Sequence, residues 1–163
     1  LGVGGYWDNE LLTSKDGDQV AGSGAGGVHV GLYVGGQTPT VRYVLDGGVL
    51  QGSTSSEVGS VPATVFDVGG SLSYVAGDFS IGGKLMGFGG SSGNTLVPQS
   101  SQWGGLIGPT ASWSPKVGGG SLCSGLDAFI GVGAESQGFN DFWTVSPVLG
   151  AQVSTKIGIC TAK

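Results

Sequence analysis

The chain has 163 residues, of which 39% are apolar, only 10% are charged and 36 are glycine, with a formal net charge of −5. That length fits one domain, 1–163, with a sizeable core, and six Lys plus Arg leave no basic footprint for nucleic acid. The glycines follow no collagen period, no apolar run approaches the ~20 residues of a membrane helix, and no basic-then-apolar leader opens the chain.

The start, Leu1 to Trp7, supplies a candidate strand. The segment after it gathers Asp8, Glu10, Asp16 and Asp18. Carboxylates of this kind hold hard cations, but the spacing is not that of an EF-hand, so a solvated acidic loop is expected and no metal site is assigned.

Strands are expected at 27–35 and 40–51, where Val28, Val30, Leu32 and Val34 alternate with polar or small residues, as do Val41, Tyr43, Leu45 and Val49. A turn at Gln37 and Thr38 sets Val34 against Val41 and Leu32 against Tyr43. On the other face it sets Tyr33 beside Arg42 and His29 beside Asp46.

The clearest pattern runs from Val61 to Phe88. Strands at 61–76 and 78–89 carry the apolar sets Phe66, Val68, Leu72, Tyr74 and Phe79, Ile81, Leu85. Across a two-residue turn at Ala76 and Gly77, Tyr74 faces Phe79 and Leu72 faces Ile81, so one face of the ribbon is greasy and the other small and polar.

The last three strands are expected at 103–114, 121–136 and 142–160. Trp103, Ile107, Ala111 and Trp113 share a face; so do Leu126, Ala128, Ile130 and Val132, and Trp143, Val145, Leu149, Val153, Ile157 and Ile159. Cys123 and Cys160 both fall on the polar alternation at one end of the final hairpin, and one disulfide between them suits an oxidising compartment. Connections near 37, 77 and 117 are short or Gly-rich, whereas 8–26, 52–60 and 90–102 read as longer loops. Helical periodicity is absent, so the fold class is all-β: an up-and-down antiparallel barrel of about eight strands.

Which face meets water decides the class. A soluble β-sandwich or barrel points its apolar face inward, and a membrane barrel inverts that order. A mean hydropathy of +0.22 is high for a soluble β-domain, whose outer faces carry Lys, Glu and Thr. The charges on the polar face are isolated and of both signs, which suits a crowded lumen: His29, Tyr33, Arg42, Asp46, Asp67, Lys84, Asp127, Glu135 and Lys156 are the expected luminal network. Trp103 and Trp113 lie ten residues apart on one apolar face, about 33 Å along a strand and about 25 Å when tilted, the spacing of two aromatic girdles. Tyr74, Phe79 and Trp143 join them as expected interfacial aromatics. Pro109 and Pro147 argue for the soluble sandwich or secreted barrel, since a residue without a donor fits edges or bulges.

With Val28-His29-Val30-Gly31-Leu32-Tyr33-Val34 as a typical segment, the pattern resembles the small outer-membrane β-barrels over residues 27–160. The resemblance implies an outer-membrane location, lipid as partner, contacts of the long loops with other envelope proteins, and a non-catalytic role as anchor, adhesin, narrow channel or assembly component. The alternative is a secreted module that binds an apolar ligand or carbohydrate.

An enzyme is the weakest reading. His29 is the sole histidine, no G-x-S-x-G nucleophile motif is present, and pairing inside a lumen accounts for His29 more simply than catalysis. The glycine cluster Gly118 to Gly120 lacks the Lys-Ser/Thr and helix of a phosphate loop. No cofactor is implied.

Overall fold

The computed structural model describes residues 2–8, 11–14, 25–56, 59–92, 100–115, 122–139 and 142–160. Alternating residues place nearly all of them in extended strands: β1 (Gly2–Asp8), β2 (Leu11–Ser14), β3 (Ala25–Gln37), β4 (Val41–Ser56), β5 (Gly59–Ala76), β6 (Phe79–Ser92), β7 (Ser100–Trp113), β8 (Leu122–Phe139) and β9 (Phe142–Cys160). Each pairs antiparallel with its sequence neighbour from β3 to β9. β1 and β2 share one register against β9, with Gly2 opposite Cys160 and Leu11 opposite Ala151, so they are two segments of a single stave. That stave also pairs with β3 and closes an eight-stave barrel.

The register fixes the shape of the barrel. From Gly35 the Cα partners run through Val44, Ser71 and Lys84 to Gly108. The β7–β8 register then places Gly131 opposite, and the path continues through Gly150 and Leu12 to Ala25, ten residues from its start on β3. Ten residues of stagger over eight staves correspond to a strand tilt of about 40°. A closed sheet leaves no unpaired edge.

The alternation sets the faces correctly, but the turns shift the registers. Ala76 lies opposite Phe79, so the turn is Gly77–Asp78 and Tyr74 faces Ile81 rather than Phe79. Gly77 has φ 66°, a conformation glycine adopts without penalty in primed hairpin turns. Between β3 and β4, Gln37 lies opposite Arg42. Pro39 occupies the second position of a wider turn, where its fixed φ is favoured. The Thr38 N–H donates to the Val41 carbonyl (2.7 Å) and the Val41 N–H donates to Thr38 Oγ1 (2.9 Å). Tyr33 therefore faces Asp46 and His29 faces Leu50, so the expected neighbours Tyr33–Arg42 and His29–Asp46 are not cross-strand pairs.

Two further expectations change. Pairing of β4 with β5 runs to Ser56 and Gly59, so strands occupy most of the segment read as a 52–60 loop. Pro109 marks neither an edge nor a bulge. Its register with β6 is continuous, and Ile107 opposite Val132 and Thr110 opposite Phe129 keep one register with β8, the ladder omitting only Gly108 and Pro109. Pro147 pairs with Ala134.

Candidate functional site: a filled lumen inside an apolar wall

The outer wall is formed by the apolar alternation. Leu72, Leu85, Trp103 and Val153 are 63%, 63%, 62% and 55% exposed, with Val30, Leu32, Val68, Ile107, Ile130 and Ile157 exposed beside them. Among the described side chains, the one charged group exposed is Asp78, in a turn. At the turn end Phe79 lies opposite Trp113 and Tyr74 opposite Val41; these aromatics are exposed, and Tyr43, expected on the apolar face but not among the interfacial aromatics, is exposed with them. Of Trp143 only the backbone is described, in β9 opposite Gly138.

Inside, His29, Tyr33, Asp46, Asp67, Lys84, Asp127, Glu135 and Lys156 are all buried. Arg42 is half-buried at the turn-end mouth and donates from Nη1 to Ser114 Oγ at 2.8 Å. Three acid–base contacts organise the interior. His29 Nε2 contacts Asp67 Oδ2, Lys84 Nζ lies 3.1 Å from Asp46 Oδ2, and Lys156 Nζ contacts Asp127 Oδ2. Lys84 also donates to Gln152 Oε1 at 3.0 Å and stands 5.6 Å from the centre of the Phe129 ring, while Lys156 stands 5.2 Å from the centre of the Tyr33 ring. A cation over an aromatic face in a low-dielectric interior adds to its ion pair.

Two of these contacts skip a strand. His29 on β3 reaches Asp67 on β5 across Gly48 of β4, the Cα partner of Asp67; a Cβ on Gly48 would lie 2.4 Å from His29 Nε2. Lys84 on β6 reaches Asp46 on β4 across Gly69 of β5 in the same way, where a Cβ would lie 2.6 Å from Asp46 Oδ1. The intervening glycines are the signal that sequence reasoning missed. Gly48→Ala is therefore expected to push the imidazole off Asp67 and destabilise the barrel by about 1–3 kcal/mol, read as a lower urea midpoint in detergent. An unchanged midpoint would mean that the ring moves aside without loss.

Toward the other end the lumen turns apolar. Leu50, Val65, Met86, Phe88, Leu106, Phe129 and Val148 form one buried cluster. Ala63, Gln102 and Glu135 lie buried beyond it. The described residues contain no group of three or more potential metal ligands. Asp8 ends β1, and Glu10, Asp16 and Asp18 lie outside the described residues.

Cys123 lies opposite Gly158, two residues from Cys160 on the same strand, so the backbones are diagonal neighbours. Such positions sit about 7–8 Å apart, where a bridge requires the backbone to move. The disulfide expected from the sequence is thus not set up by the strand register. Alkylation without reductant followed by mass measurement checks it, and two modified thiols would rule the bridge out.

These features define a small closed β-barrel of inverted polarity, with charge inside and, among the described side chains of its strands, an uncharged apolar wall outside. The chain is similar to the crystal structure of Neisserial surface protein A, at 15% sequence identity and a TM-score of 0.63, the comparison covering 98% of this chain and 96% of that one. At that identity the likeness carries the fold. No protein-family model and no curated protein matches the chain.

Proposed function

We propose that this chain is a non-catalytic outer-membrane β-barrel whose lumen does not conduct, acting as an anchor that presents its inter-strand connections to partners. The observation that carries the reading is the outer wall: exposed aliphatic residues on every stave from β3 to β9, with no charged side chain among those described. Water is a poor solvent for such a surface, and an apolar band about 25 Å tall, the separation of Trp103 and Trp113 along the barrel axis, matches a bilayer core. Tyr43, Tyr74, Phe79 and Trp113 would then lie at one lipid interface and Trp103 at the other. Similarity to a protein named as a surface protein supports the same location. Among the roles compatible with a barrel, an anchor is favoured over a channel, because Leu50, Phe88 and Leu106 are buried together inside the barrel, and an apolar stretch of lumen opposes the passage of an ion.

Vesicle flotation with a conductance recording tests both halves. The folded protein is expected to float with phospholipid vesicles, to require detergent for extraction, and to leave a planar bilayer silent. A freely soluble monomer without detergent would overturn the membrane reading, and steady single-channel currents would overturn the closed lumen.

A further inference from the structure

The lumen has two unlike halves, and the half nearer the turns contains a cavity of about 10 Å³, room for a single water. Asp46, Lys84, Asp127 and Lys156 line it, with Ser73 and Ser154 among the hydroxyls. Asp46 Oδ1 and Asp127 Oδ1 are buried, and no donor among the described residues reaches either. An ionised oxygen left without a hydrogen bond in a low-dielectric interior is costly, and both carboxylates belong to residues that line the same cavity, where one small donor would relieve them.

We propose that the turn-end half of the lumen is a blind, hydrated vestibule, a binding site for ordered water that donates to Asp46 and Asp127 and ends at the apolar cluster. The charges select the occupant. Lys84 and Lys156 neutralise the two carboxylates and Arg42 adds a positive charge at the mouth, which disfavours a metal cation. The oxygens that need a partner are acceptors, which disfavours an anion. A small neutral donor remains, and water is the one that fits the volume. Above it, Leu50, Val65, Phe88 and Val148 give water no polar partner and stop it there.

The inference rests on the closed lumen proposed above and not on the membrane location, which flotation tests by itself. Single cysteines at Ser73, Ser154 and Val65, introduced with Cys123→Ser and Cys160→Ser, are exposed in detergent micelles to hydrogen peroxide, a neutral thiol oxidant little larger than water, with folding checked by heat-modifiable electrophoretic mobility. Ser73→Cys and Ser154→Cys are expected to react at least about tenfold faster than Val65→Cys, because thiol modification follows exposure to the aqueous phase. Protection of all three would mean a dry lumen, and equal rapid reaction would mean a through-going aqueous path; either overturns the proposal. The native chain supplies the same reading without substitution: nuclear Overhauser contacts between water and the Thr110 methyl, with none at the Val65 methyls. Absence of the first, or presence of both, overturns it equally.

Discussion

Val153→Arg is expected to destabilise the folded barrel by about 2–4 kcal/mol, the cost of an arginine on the lipid face near mid-membrane. Val153 is 55% exposed on the outer wall of β9, and Ala128 of β8 stands opposite. The penalty is a matter of depth as well as charge. Leu72, 63% exposed, lies nearer the turn end, next to the aromatic rim, where a long side chain can reach the interface. Leu72→Arg should therefore cost less, and Trp113→Arg, at the rim itself, less again. Urea titrations of the three variants refolded into vesicles measure the gradient. A flat series with costs near zero would mean that this wall faces water, and the inverted barrel would be wrong.

The faces of this barrel were legible in the sequence because a strand sends alternate side chains to the outer wall and to the lumen, a period of two. Leu72, Leu85, Trp103, Trp113 and Val153 all fall on the outer wall where the alternation puts them. Partners were not legible. A register error of two residues, as at Gly77–Asp78, or of four, as at Thr38–Val41, preserves every face while changing every neighbour. His29 was accordingly matched with Asp46, whereas it contacts Asp67 two strands away. Alternation carries no information about a contact that passes over an intervening strand. The one trace of it is a glycine at the crossing point, Gly48 or Gly69, and in a chain with 36 glycines that trace does not stand out. Pro109 misled for a related reason: a closed barrel absorbs one missing donor as a local gap in one ladder, which a residue-by-residue rule reads as an edge.

The largest effect expected inside the lumen is at Lys84. Its ammonium lies 3.1 Å from Asp46 Oδ2, and the two side chains are 7% and 3% exposed. It also donates to Gln152 Oε1 at 3.0 Å. Lys84→Met keeps most of the stem but strands the Asp46 carboxylate, whose Oδ1 already has no donor among the described residues. Removing one member of a buried pair typically costs about 3–5 kcal/mol, because the remaining charge is desolvated without compensation. The decisive comparison is the double variant. Asp46→Asn removes the stranded charge at nearly constant shape, so Lys84→Met with Asp46→Asn should recover most of the loss. Urea midpoints in one detergent measure the wild type, both single variants and the double. If the double is no more stable than Lys84→Met alone, the loss comes from the ammonium's contacts with Gln152 Oε1 and the Phe129 ring, and the pair with Asp46 does not organise the lumen.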